Sequence, residues 1–206
     1  MNNGKANLNL MTILLIPIGI GINYVGGQIA LLLKLPVYID VIGTILVGAL
    51  AGPLLGALTG LVTNLIIGIT NPVYFPYAIV SVAIGLAAGF AAKKKWFTNW
   101  KGVTITAILI WAVALITSPP ITVYVYGGAT GDGAGLITSF LVATGKELWN
   151  AVFTSTIITE TIDKFISVIV AFLIIKAIPD RNLLQFPLGK IYSKHQITTT
   201  TEEDWK

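Results

Sequence analysis

The chain has 206 residues, of which 55% are hydrophobic and only 11% charged, against roughly 25% charged in a soluble globular domain. With a mean hydropathy of +0.83 it lacks the polar surface that water requires, and it reads as an all-α integral membrane protein. It has no cysteine, and its one histidine, His195, lies in a polar C-terminal stretch, which excludes disulfides, thiol nucleophiles and cysteine or histidine metal clusters from the apolar body.

The first apolar run covers about residues 8–33. It is too long for a signal peptide, has one lysine before it and lacks a small-residue cleavage site, so a retained transmembrane helix is expected. Runs over about 37–51 and 54–69 are each shorter than the roughly 20 residues that one span prefers. They meet at Gly52-Pro53, where proline removes a donor and disfavours helical geometry in its predecessor, so a pair of short helices is expected there. Asn71-Pro72 breaks the chain again. A fourth run, 74–92, stops at Lys93, Lys94 and Lys95, with Trp96 and Trp100 as interfacial anchors. A fifth, 103–124, is interrupted late by Pro119-Pro120. The glycine-rich stretch 126–135 has neither the lysine spacing nor the preceding strand of a phosphate-binding loop, and the whole segment 127–146 is expected as an outer loop. The last apolar run, 148–178, closes at Pro179.

The 13 Lys and Arg outnumber the 9 Asp and Glu, but they lie between and after apolar runs and form no patch for nucleic acid. Their placement is that of membrane topology. Six spans with both termini cytoplasmic put Lys5, Lys93, Lys94, Lys95, Lys101, Lys176, Arg181, Lys190, Lys194 and Lys206 inside and leave only Lys34, Lys146 and Lys164 elsewhere. The expected organisation is a six-transmembrane-helix bundle over residues 1–181 and a polar cytoplasmic tail over 182–206.

That topology assigns each polar residue a depth at about 1.5 Å per residue. Asn23, Gln28, Asp40 and Asn64 fall in the outer half, and Glu160 and Asp163 lie about 24 and 20 Å above Lys176 by the same rise. The inner halves offer only hydroxyls, such as Thr44, Thr59, Ser81 and Ser167, which can bond back to their own helix. Acids and amides in hydrocarbon cost several kcal/mol unless paired or wet, so their gathering on one side points to function. The pattern is a polar cup above an apolar plug, the layout of a binding pocket open to the outside. A structural reading stands beside it. Glu160 and Lys164, at i and i+4, can neutralise each other. Asn64 can bond a neighbouring helix. Tyr74, Tyr77, Tyr124 and Tyr126 can form an interfacial belt or stack on a flat ligand.

Gly48, Gly52, Gly56 and Gly60 recur every fourth residue, and Gly85 and Gly89 repeat the spacing. Such small-residue rows let membrane helices approach closely, either inside the bundle or against a partner subunit.

The stretches Tyr38–Asn64, Tyr126–Gly133 and Ile162-Asp163-Lys164, set in six hydrophobic segments without an ATPase motif, resemble the substrate-binding S components of energy-coupling factor (ECF) transporters. The resemblance covers about residues 8–181. It implies a multi-pass protein of the prokaryotic plasma membrane that captures a small vitamin or related ring-containing nutrient, without chemistry and without a cofactor. Its implied partners are a transmembrane coupling subunit, two ATPase subunits and the lipid bilayer, with no nucleic acid. On this reading Asn23, Gln28, Asp40, Asn64, Tyr74, Tyr77, Tyr126, Glu160 and Asp163 contact the substrate, and outer loops around 34–38, 70–77 and 127–146 close over it. Many S components dock through an alanine-xxx-alanine pattern on the first helix, which residues 10–20 lack. Gly19 and the row Gly48, Gly52, Gly56 and Gly60 are the candidate docking residues in its place.

Three other readings remain open at this point: a membrane sensor or accessory subunit, an intramembrane enzyme using Glu160 and Asp163 as an acid/base pair, and a stand-alone secondary transporter. No nucleophile or metal constellation favours the second, and no visible inverted repeat favours the third.

Overall fold

The computed structural model describes residues 9–193, in which every regular element is helical. The helices are α1 (Leu10–Leu32), α2 (Ile42–Ala51), α3 (Pro53–Thr70), α4 (Tyr74–Lys93), α5 (Trp100–Tyr124), α6 (Gly133–Ala143), α7 (Leu148–Ala177) and the single turn α8 (Asp180–Leu183), with 3₁₀ turns at Trp96–Thr98 and Gly189–Ile191. Four of them, α1, α3, α4 and α5, are long and apolar enough to cross a membrane. Their outward faces carry large apolar side chains such as Ile13, Ile18, Ile69, Ile79 and Ile116, the inverse of a soluble bundle and the expected surface of one bathed in lipid. α2, at 10 residues, is too short to span alone, and α7 carries Glu160, Asp163 and Lys164 at its middle.

Cross-bundle contacts orient the helices. Asn9 donates to the Gln185 carbonyl at 2.5 Å, and the Leu188 amide donates to the Leu50 carbonyl at 2.9 Å. Lys176 lies over the rings of Trp100 (5.9 Å) and Phe172 (4.8 Å). The start of α1, the ends of α2 and α7 and the start of α5 therefore share one end, which is basic. Tyr124 meets Trp149 at the other end.

The most consequential departure from a simple bundle follows α1. Residues 33–41 are non-helical and run back down beside α1, so that Ile39 abuts Gly26 and Gly43 abuts Gly19, backbone to backbone. α2 thus begins halfway down the bundle. A backbone without helical bonds at that depth has no water to satisfy it and must find internal partners. Asn23 supplies some of them: its Oδ1 accepts from the amides of Gly43 (2.6 Å) and Thr44 (3.4 Å), while its Nδ2 donates to the hydroxyls of Thr44 (2.8 Å) and Thr63 (3.1 Å). Ile39 has a φ of 54°, a left-handed conformation that is costly for a β-branched residue and persists only where its surroundings enforce it.

The two short helices joined at Gly52-Pro53 are present, and Gly52 turns the chain with a φ of 102°. The glycine row closes α2 and α3 onto α4. A Cβ on Gly48 would lie 3.0 Å from the Gly85 carbonyl, and one on Gly56 2.9 Å from the same atom. Gly60 faces the Ser81 backbone, and Gly19 faces Val47 and Thr59. Gly19, Gly48, Gly56 and Gly60 therefore serve packing inside the bundle, the first of the two roles open to such a row. Gly52 is also buried, and it serves as the turn.

Two further expectations change. Segment 127–146 is not a loop throughout: Asp132 caps α6, its Oδ1 accepting from the Gly135 amide at 2.7 Å and the Thr130 hydroxyl at 2.9 Å. The apolar residues that follow then form a helix packed on α7, and the glycines that suggested a loop are confined to the turn before it. Nor does the packed chain end at residue 181. Leu183 and Phe186 are buried, and the Tyr192 hydroxyl donates to the Ala49 carbonyl at 3.0 Å; burial pushes the phenol above its usual pKa and keeps it a donor. Lys5, Lys194, His195 and Lys206 lie outside the described residues.

A candidate binding cavity above the basic end

Four helices and three connectors enclose a cavity of about 50 Å³ in the half of the bundle away from the basic end. One stripe of α4, Tyr74, Tyr77, Ser81 and Ile84, forms a wall at helical spacing, about 15 Å long. Asn64 of α3 stands beside it, and Glu160 and Lys164 of α7 face it with Ser118 of α5. Tyr38, Asp40 and Val41 of the descending segment, Val73 of the α3–α4 turn and Asp132 at the head of α6 complete the lining.

The electrostatic centre is a trio. Lys164 Nζ lies 2.6 Å from Asp163 Oδ2 and 2.9 Å from Glu160 Oε2, with all three side chains buried. The second oxygen of Asp163 turns away from the lysine and accepts from the backbone amides of Tyr38 (2.9 Å) and Ile39 (2.7 Å). Asp163 therefore performs for the descending segment what Asn23 performs at the start of α2, and one carboxylate ties the strained backbone to α7. Lys164 is also 5.6 Å from the centre of the Tyr38 ring, within range of a cation–π attraction.

Other polar groups are committed as well. Asn64 donates to the Ser81 hydroxyl (2.6 Å) and to the Gly60 carbonyl (3.1 Å), bridging α3 and α4. The Tyr77 and Thr122 hydroxyls are 2.6 Å apart. Tyr126 stacks on Tyr77 with ring centres 6.0 Å apart and donates to the Val73 carbonyl at 3.0 Å. Glu160 Oε1 receives only a long contact of 3.5 Å from Ser118, and its buried Oε2 has no hydrogen-bond partner despite the nearby ammonium. The distance from Lys164 is short but the donor geometry is poor, so this contact is electrostatic more than a hydrogen bond.

Of the nine residues expected to contact a substrate, Asp40, Asn64, Tyr74, Tyr77 and Glu160 line the cavity. Asp163 is fully buried behind it, and Tyr126 backs Tyr77 without lining the space. Asn23 is the internal partner of α2, and half-buried Gln28 is not part of the lining. Sequence reasoning passed over Ser118, placed Tyr38 and Asp132 only within covering loops, and took Lys164 as a neutralising partner of Glu160 or a contact for an anion. For Asp132 a signal existed, since an aspartate three residues before a glycine at the head of an apolar run reads as an N-cap. Ser118 carries no comparable signal, because only the packing of α5 on α7 brings it to Glu160.

At about 50 Å³ the cavity admits a few waters, against roughly 300–1,000 Å³ for small-molecule sites. Its outer wall, however, is built from the parts of the fold with least regular structure, the segment 33–41 and the turn 125–132 with positive φ at Gly127, Gly128 and Gly131. Gly133, at the head of α6, packs against the Leu35 backbone, so these two connectors touch and together cover the cavity. No family model matches the chain, and no curated protein or solved structure matches it significantly.

Proposed function

We propose that the chain is a substrate-capture S component of an ECF-type transporter, binding a small water-soluble, ring-containing nutrient at the outer face of a prokaryotic plasma membrane for ATP-driven uptake by a coupling subunit and two ATPase subunits. The observation that carries this reading is the cavity: aromatic and polar side chains from α3, α4, α5, α7 and three connectors converge in one half of an apolar helical bundle. Such convergence on a largely apolar site is the physical signature of small-molecule binding. Supporting the orientation, Lys93, Lys94, Lys95, Lys101, Lys176, Arg181 and Lys190 belong to the segments at the opposite end, as the preference of cytoplasmic loops for basic residues requires. α2 with its descending segment makes one crossing and α7, held by its internal ion trio, makes another. The total is then six, with both termini inside.

Capture requires the cover to part. The segment 33–41 and the head of α6 move away from α4, a ring enters beside Tyr74 and Tyr77, and the cover closes over it. No residue performs chemistry on the solute.

The test is native mass spectrometry of the full chain released from detergent micelles. A retained vitamin-sized molecule, lost in Asp40→Asn, is the expected result. A protein that retains nothing, binds no member of a vitamin and nucleoside panel and copurifies with some other membrane protein would overturn capture in favour of a sensor or accessory role.

A further inference from the structure

We infer that the cavity takes a small organic cation: a ring-bearing molecule with one positive charge on a nitrogen that keeps at least one N–H, seated between Asp40 and Glu160 with its ring against Tyr74 and Tyr77. This inference rests on the capture reading and narrows it.

The argument begins with the charges. Asp40, Asp132 and Glu160 line the cavity with Lys164 as the sole basic side chain, and Asp163 stands directly behind. Lys164 is held by Asp163 at 2.6 Å and Glu160 at 2.9 Å, so one ammonium already serves two acids. Asp132 is occupied in capping α6. The carboxylate of Asp40, buried and facing the cavity, receives no hydrogen bond from another described residue. Charge in such a setting is costly unless paired.

A second, independent observation is unmet acceptor capacity. Glu160 is 2% exposed, yet its Oε2 has no hydrogen-bond partner while the residue lines the same cavity. A protonated nitrogen with an N–H answers both deficits, since it compensates the excess negative charge and donates to an orphaned oxygen. A quaternary ammonium answers only the first. An anion would meet carboxylates and one ammonium already engaged, and a neutral ring would leave the charge imbalance buried. The rings of Tyr38, Tyr74 and Tyr77 also line the cavity, and the faces of aromatic rings attract cations.

The experiment measures binding of four ring compounds to the purified full chain in detergent, by calorimetry and thermal shift: benzylamine, benzyltrimethylammonium, benzyl alcohol and benzoate. Native mass spectrometry is run on the same preparation. Benzylamine is expected to bind at least about tenfold more tightly than the quaternary or neutral analogue, the scale of one charge-assisted hydrogen bond, and benzoate not at all. Asp40→Asn and Glu160→Gln should each reduce benzylamine affinity about tenfold and narrow its advantage over benzyl alcohol. Two variants are used so that a folding defect in one does not decide the matter. Equal or tighter binding of benzyl alcohol or benzoate, or a retained native ligand that is neutral, anionic or quaternary, would overturn the cation assignment and leave capture standing. If no probe binds and no molecule is retained, the cation assignment falls, and capture falls with it when the vitamin and nucleoside panel also fails to bind. If only a retained ligand is found, an N–H-bearing cation upholds the assignment.

Discussion

Replacing Asp163 separates its two tasks. Oδ1 accepts from the Tyr38 and Ile39 amides at 2.9 and 2.7 Å, and Oδ2 neutralises Lys164 at 2.6 Å. Asp163→Asn keeps an Oδ1 acceptor for both amides but loses the charge and turns an Nδ2 donor toward the Lys164 ammonium; because Lys164 keeps Glu160 at 2.9 Å, the expected cost is about 2–3 kcal/mol. Asp163→Leu keeps the branched shape, with somewhat greater bulk, but has no acceptor. Two buried amides then lose their partner, at about 1–3 kcal/mol each, in addition to the lost ion pair, for a total of about 4 kcal/mol or more. Equilibrium unfolding in mixed micelles of rising SDS fraction, followed by tryptophan fluorescence, gives the two costs. Hydrogen exchange at Tyr38 and Ile39 localises them, with faster exchange in the leucine variant and near-native exchange in the asparagine variant. Asp163→Leu within about 0.5 kcal/mol of the parent, the range of an unremarkable surface change, would refute the claim that this carboxylate holds the descending segment. Equal costs for the two variants would assign its role to charge alone.

Removing the ammonium by Lys164→Met should destabilise the bundle by about 3–5 kcal/mol, because it leaves buried carboxylates without compensation, and adding Glu160→Gln should recover part of that loss in a double-mutant cycle. Asn23→Ala withdraws the partner of the Gly43 and Thr44 amides, with an expected cost of about 3 kcal/mol read by the same unfolding assay. Gly85→Leu should prevent α3 and α4 from closing, since even a Cβ at Gly85 meets the backbone of Gly56 and Ala57. Gly21→Ala, on a face of α1 with nothing within 4 Å, should fold normally, and comparable monodispersity of the two on size exclusion would contradict this account. Tyr192→Phe removes the bond to the Ala49 carbonyl and should cost about 1 kcal/mol, a result that tests whether residues beyond 181 belong to the folded unit.

Composition and hydropathy alone determined that the chain is helical, with segments apolar enough to cross a membrane, where most of its breaks fall and which half of the bundle gathers its acids and amides. These properties are legible because the cost of placing a residue in lipid is set mainly by its own side chain, and because proline and glycine act on the backbone locally. Ser81, expected among the hydroxyls of the inner half, instead joins Tyr74, Tyr77 and Ile84 on the cavity wall, where Asn64 of α3 donates to it. What a polar residue does could not be read this way. Asn23, Gln28 and Asp163 present the same kind of signal in the sequence, yet Asn23 and Asp163 satisfy a backbone that begins its helix halfway down the bundle while Gln28 takes no part. The glycine row gives a spacing without saying which helix will fill it, and α4 fills it. Asp132 and Ser118 enter the cavity from segments remote in sequence from Glu160. In each case the decision is a pairing, and the free energy of a buried hydrogen bond or ion pair depends on a partner whose position only the packed tertiary structure fixes.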